Sequence, residues 1–131
     1  MRTRSDRETT GAIVCIVDDD ASLRRSVSNL LRSVGFRVQT FASAEEFLQL
    51  RDVEATKCLV LDVRLPGMSG LDLLLRLRDS GSLVGIVMLT AHDDDQVRQR
   101  ALATGAVAFL AKPFRANDLV TIVKACLERG A

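Results

Sequence analysis

The sequence has little with which to hold a soft metal or close a disulfide: one histidine, and three cysteines with no CxxC or Cys/His spacing among them. His92 stands without a second ligand at metal spacing, which speaks against zinc. Cys15 and Cys58 fall in apolar runs and Cys126 on the apolar stripe of a helical pattern, so all three read as reduced core residues of a cytosolic protein. Long hydrophobic runs are missing too. The longest apolar stretches fall far short of a membrane span, and the polar opening Met1–Gly11 lacks the apolar centre of a signal peptide. That opening reads as a flexible tail over residues 1–11, with the folded domain over 12–131. Nor is there an excess of either charge: 18 Lys and Arg against 17 Asp and Glu leave +1, which gives no reason to expect nucleic acid or an anionic membrane as a bulk partner. Internal repeats and low-complexity segments are absent.

What is present is a series of short apolar runs that end in polar chemistry. At 131 residues the chain buries about two-thirds of its unfolded surface without a metal or disulfide to staple it. Cys58–Leu61 is apolar without alternation, the pattern of a strand buried on both faces of a parallel sheet, and Asp62 follows it. Pro66, Gly67 and Gly70 then impose a turn, so this acid lies at the carboxyl end of its strand, where open α/β sheets place ligands. Ala12–Val17 repeats the pattern and ends in Asp18-Asp19-Asp20. Val84–Leu89 ends in Thr90-Ala91-His92, and Ala106–Ala111 in Lys112-Pro113. Phe36–Phe41 alternates as a half-buried edge strand does.

Between these runs lie helical patterns. Leu23, Val27, Leu30, Leu31 and Val34 recur at helical spacing up to Gly35, with Asp19, Asp20 or Ser22 available as the cap. Ser43-Ala44-Glu45-Glu46 is a capping-box pattern ahead of Phe47 and Leu48. Leu71, Leu74 and Leu75 form the expected inner face of a third helix, which stops at Gly81. Asp93–Asp95 caps a fourth, whose Val97, Ala101 and Leu102 make only a thin apolar stripe, and Leu119, Ile122, Val123, Cys126 and Leu127 mark a clean closing helix. Five strands alternating with five helices predict right-handed βαβ units: a single doubly wound α/β domain, a parallel sheet with helices on both faces.

In that fold Asp18, Asp19, Asp62, Thr90 and Lys112 all gather along one edge of the sheet. Singly, each has an ordinary explanation as a cap, a solvent-facing lysine or a β-former. Gathered at the strand ends, they call for a common one. Asp20 directly precedes helical residues and stays a cap, His92 and Asp93–Asp95 read as solvated loop and cap, and Phe109 as core. Three carboxylates in contact repel one another unless a cation shares the site, and oxygen-only donors suit magnesium. A nearby lysine can neutralise phosphoryl oxygens and a threonine hydroxyl can donate to one. Together these parts describe phosphoryl transfer to a carboxylate nucleophile. A competing reading takes Asp18-Asp19-Asp20-Ala21-Ser22 as similar to the opening motif of haloacid-dehalogenase-type phosphohydrolases, with Asp18 as nucleophile. It leaves Asp62 unexplained and lacks that family's later acidic motif.

The same residues carry a resemblance. From Ala12 to Arg129 the chain resembles the receiver domain of bacterial two-component response regulators, through Val17-Asp18-Asp19, Leu61-Asp62-Val63-Arg64-Leu65-Pro66-Gly67-Met68-Ser69-Gly70, Thr90-Ala91 and Lys112-Pro113-Phe114. The resemblance implies a flavodoxin-like (βα)5 fold with strand order 2-1-3-4-5. It implies that Asp62 accepts a phosphoryl group from a histidine kinase or phosphotransfer protein, and that Asp18, Asp19, Asp62 and the backbone carbonyl of Arg64 hold Mg2+. Thr90, Ala91 and Lys112 would contact the phosphoryl group, Thr90 and Phe109 would form a switch, and Arg64 and His92 would tune dephosphorylation. Such a domain is no enzyme beyond its own phosphorylation and dephosphorylation. Its implied output is a homodimer or partner complex through the fourth helix, fifth strand and fifth helix, without direct nucleic-acid binding by this chain and without a membrane. A phosphate-independent docking module is disfavoured, because every site position is kept. Arg64, His92, Gly105-Ala106-Val107 and Phe109 are similar to the FixJ-type subclass, whose members carry a helix-turn-helix domain after the receiver. With the given sequence ending at Ala131, the reading leaves open a free-standing receiver or the receiver of a truncated transcriptional regulator.

Overall fold

Strands β1 (Ile13–Val17), β2 (Arg37–Phe41), β3 (Thr56–Asp62), β4 (Gly85–Thr90) and β5 (Ala108–Ala111) pair in parallel in the order β2-β1-β3-β4-β5. The computed structural model describes residues 11–91 and 95–130, so the expectations for residues 1–10, His92, Asp93 and Asp94 lie outside the described residues. Helices α1 (Ala21–Ser33), α2 (Ala44–Leu50), α3 (Gly70–Asp79), α4 (Asp95–Ala103) and α5 (Ala116–Gly130) join the strands. This is the doubly wound parallel sheet that the apolar runs predict, in the 2-1-3-4-5 order that the resemblance implies.

The unbroken apolar runs have a simple cause: both faces of the sheet are covered. Val14, Ile16, Cys58, Val60, Val87 and Leu89 point to one side, where they meet Val27 and Leu31 of α1 and Leu119, Val123 and Cys126 of α5. Cys15, Val17, Leu59, Leu61, Ile86 and Met88 point to the other, against Phe47 of α2, Leu73, Leu74 and Leu77 of α3 and Ala101 of α4. Neighbours along a strand thus serve different cores. Gly85 belongs to the same packing, since a Cβ there would run into Cys126 Sγ, and its absence lets α5 settle on the sheet. The three cysteines are buried and none is in a disulfide. Burial pushes the Cys15 thiol up, and the neighbouring Cys126 thiol together with burial pushes Cys58 well up. Among the described residues no helix is long and apolar enough to cross a membrane.

Several local expectations change. The inner face of α3 is Gly70, Leu73, Leu74 and Leu77, while Leu75 is 38% exposed. Leu71 packs against the core partly buried, and Gly70 joins the face because it presses against the Asp62 carbonyl, where a side chain would collide. β4 runs on through Thr90, and β5 starts only at Ala108. Before that, Ala106 N donates to the Ala101 carbonyl at 3.0 Å to close α4, and Val107 N reaches Ile86 O at 2.8 Å. Asp20 is the cap of α1, accepting from Ser22 N and Leu23 N at 2.9 and 3.2 Å. Ser43 caps α2 through Glu46 N at 3.1 Å, but Glu45 of the same motif turns away to a different loop.

Candidate functional site

Strand register and strand parity bring the site together. Val17 pairs with Leu61, which sets Asp18 level with Asp62 just past the ends of β1 and within the end of β3. Thr90 pairs with Ala111, so Lys112 stands one residue beyond it. Asp18 follows the parity of Val14 and Ile16, Asp62 that of Cys58 and Val60, and Lys112 that of Ala108 and Leu110, so all three side chains lean to one face. Thr90 follows Ile86 and Met88 to the opposite face, which it shares with Phe109.

Each buried carboxylate is held twice. Asp18 Oδ1 accepts from Asp20 N at 2.9 Å and its Oδ2 from Lys112 Nζ at 2.9 Å. Asp62 Oδ1 accepts from Arg64 N at 3.0 Å and its Oδ2 from the same ammonium at 2.9 Å. The backbone of Asp18 is pinned as well, because Arg24 Nη1 donates to its carbonyl at 2.7 Å. Lys112 N donates to the Thr90 carbonyl at 2.7 Å, which fixes the start of the lysine's loop. Asp18, Asp62 and Thr90 are buried, whereas Asp19, Arg64 and Ala91 are exposed.

One lysine shared by two acids leaves the site short of positive charge. Burial is the largest influence on Asp18 and carries its carboxyl above the ordinary range, against the bonds from Lys112 and the Asp20 amide. Burial lowers Lys112 too, but its bonds to Asp18 and Asp62 outweigh that and hold the ammonium above the usual lysine value. The Asp18 shift is upward because burial outweighs the bonds it accepts, and the Lys112 shift because two acid partners outweigh burial. Carboxylate oxygens of Asp18, Asp19 and Asp62 all lie within 4.8 Å of one another. A negative, largely buried set of oxygen donors without histidine or thiolate fits a hard divalent cation such as Mg2+.

The structure therefore unites Asp18, Asp19, Asp62 and Lys112 and sets Thr90 and Ala91 at the neighbouring strand end. Phe109 is half-buried on the α4 side, with the Arg98 guanidinium 5.5 Å from its ring centroid. His92, expected at the rim, lies outside the described residues. Two neighbours escaped the sequence reading. Arg24 reaches the Asp18 backbone from the first turns of α1, and Glu45 accepts from Met68 N at 2.9 Å in the loop that follows Asp62. The only signal for Glu45 was a capping-box pattern that explained it another way.

A doubly wound sheet with three aspartates and a lysine converging at its strand ends has the architecture of a receiver. Residues 14–124 match the response regulator receiver domain, and the chain belongs to that family. It is the receiver domain of a two-component response regulator. Nodulation protein W of Bradyrhizobium diazoefficiens is 50% identical over 121 residues, 92% of this chain and 53% of that protein. The transcriptional regulatory protein FixJ of the same organism is 36% identical over 122 residues, 93% of this chain and 60% of its own length, in keeping with the FixJ-type likeness. Among solved structures, the response regulator StyR superposes with a TM-score of 0.86 at 43% identity, covering 92% of this chain and 61% of that one. The chain thus spans a little over half the length of these relatives.

Proposed function

We propose that this receiver takes a phosphoryl group from a phosphohistidine of a partner kinase or phosphotransfer protein onto Asp62. The observation that carries the reading is the placement of Asp62: a buried carboxylate, bonded to Lys112 at 2.9 Å, whose oxygens share a 4.8 Å cluster with Asp18 and Asp19. In the transfer an Asp62 oxygen attacks phosphorus, the phosphorus–nitrogen bond breaks, and the imidazole nitrogen leaves with the bonding pair. Asp18, Asp19, Asp62 and the Arg64 carbonyl would hold Mg2+, which when bound supplies positive charge to the phosphoryl oxygens. Lys112 is already aimed at the reacting carboxylate and offsets the charge that arrives with the phosphoryl group. The Thr90 hydroxyl and the Ala91 backbone flank the site from β4 and contact the phosphoryl oxygens. Arg64 is exposed at the mouth of the site and, with His92, tunes the approach of water to the acyl phosphate.

Output follows from what the new charge reorganises. Thr90 and Phe109 lie on one sheet face beneath α4, so a Thr90 drawn toward the phosphoryl group changes the space that the half-buried ring occupies. The α4-β5-α5 face is then the surface that docks a second copy or a partner. Because FixJ is a transcriptional regulatory protein, control of transcription through such a partner or an attached domain is the pathway we assign.

Incubation with Mg2+ and acetyl phosphate, read by intact mass, tests the reading. A gain of one phosphoryl group in the wild type, abolished by EDTA and by Asp62→Asn, is the expected result. No mass gain in the wild type would favour a phosphate-independent docking module, and loss in Asp18→Asn with retention in Asp62→Asn would favour a hydrolase.

A further inference from the structure

The loop that follows the acceptor, residues 63–69, contains the Arg64 carbonyl assigned above to the cation. Both of its ends are tied locally. Arg64 N donates to Asp62 Oδ1 at 3.0 Å, Gly70 N donates to the Val63 carbonyl at 2.9 Å, and Ser69 Oγ accepts from Asp72 N at 3.1 Å to cap α3. Its middle is held from outside. Met68 N donates to Glu45 Oε2 at 2.9 Å, a bond between residues 23 positions apart that ties the loop to the first turn of α2.

Gly67 shows how closely that carboxylate is built in. Its φ of +75° lies in the left-handed region, and a Cβ there would stand 2.6 Å from the same Glu45 Oε2. The missing side chain thus serves the turn and also makes room for the carboxylate. Glu45 is exposed. Its carboxyl is held below the ordinary range chiefly by the Met68 amide, so the ionised acceptor is the form the loop uses.

We propose that Glu45 is a positioning residue for the receiver's cation site: by holding the Met68 amide it sets the path of residues 63–69, and with it the Arg64 backbone beside Asp62. The inference rests on the receiver reading above and deepens it, since the loop being positioned is the one that would complete the Mg2+ shell. Glu45 touches neither cation nor phosphoryl group. It acts through four loop residues, Arg64 to Gly67, as the polar anchor beside the packing of Leu65 and Met68 against the core.

Three variants test this. Glu45→Ala removes the acceptor, Glu45→Gln keeps an amide oxygen at the same reach, and Gly67→Ala drives a Cβ toward the carboxylate. In metal-free protein, Glu45→Ala should speed amide exchange at Met68 by about three- to tenfold while leaving the amides of α1 unchanged. Mg2+ affinity should fall by about the same factor, and Glu45→Gln should recover most of both. Gly67→Ala should cost less affinity in the Glu45→Ala background than alone, which a general loss of stability would not produce. Wild-type Mg2+ binding together with unchanged binding and exchange in Glu45→Ala would overturn this inference alone. A wild type that binds no Mg2+ would overturn the receiver reading and this inference with it.

Discussion

Lys112 Nζ lies 2.9 Å from Asp62 Oδ2, although β4 separates their strands in the sheet. Strands are spaced about 4.8 Å apart, so only a long, flexible side chain can make that reach from the neighbouring strand but one. The contact brings a positive charge to a carboxylate that is 8% exposed, and the same ammonium also serves Asp18, which is fully buried.

Truncating this lysine leaves both acids uncompensated. Lys112→Ala should destabilise the metal-free protein by about 1–3 kcal/mol, the range for a buried acceptor that loses its partner. Saturating Mg2+ should return part of that loss, because the cation takes over the charge. Urea unfolding with and without Mg2+ measures both, and an identical loss in the two conditions would refute the shared-charge account.

Burial holds the Asp18 carboxyl above its ordinary range, so the folded protein binds this proton more tightly than the unfolded chain does. The ionised form therefore costs stability at neutral pH, and the cost fades as pH falls through the raised value toward the unfolded one. Asp18→Asn has no such charge. The stability gained by Asp18→Asn over wild type in metal-free buffer should be largest near neutrality and shrink on acidification. A gap that does not change with pH would show that burial of this charge is not the cause. Lys112 has the opposite dependence: its contribution is present below the unfolded lysine value and is lost only as pH rises through its raised one.

Gly85 and Cys126 make a reciprocal pair across the β4–α5 contact. Gly85→Ala should cost about 1–3 kcal/mol through overpacking, and much less in a Cys126→Ala background where the sulfur is gone. Equal costs in the two backgrounds would mean that α5 does not rest on Gly85. The comparison needs only thermal or denaturant unfolding.

Among the described residues helix α4 buries the fewest of the five. Ala101 is its one buried residue among those described, with Val97 half-buried and Leu102 44% exposed, whereas α1 buries Val27, Ser28 and Leu31. Its amides should exchange with solvent faster than those of α1, and beryllofluoride with Mg2+ should change α4 and β5 more than α1. Equal protection of the two helices, unchanged by beryllofluoride, would remove α4 as the responding element.

Much of this was legible in the chain because it is local. The apolar runs, the acids that end them and the glycines after them are nearest-neighbour patterns, and they gave the sheet, its helices and the convergence of Asp18, Asp19, Asp62 and Lys112. Glu45 was not legible, because its role depends on where a loop 23 residues later passes. The inner face of α3 was legible only in part: Leu74 is buried and Leu71 packs against the core, but Leu75 fits helical spacing as well as Leu73 and Leu77 do and is 38% exposed. The late start of β5 likewise turns on the bond from Ala106 N to the Ala101 carbonyl that closes α4, which no periodicity encodes.

The central claim is that the phosphoryl group sits on Asp62 and not elsewhere in the acidic cluster. Reductive cleavage of the acyl phosphate with borohydride, followed by peptide mass mapping, marks the modified aspartate directly as homoserine. The account predicts the mark in the peptide containing Asp62 and none at Asp18 or Asp19. A mark at Asp18 would contradict it and make this chain's chemistry that of a hydrolase.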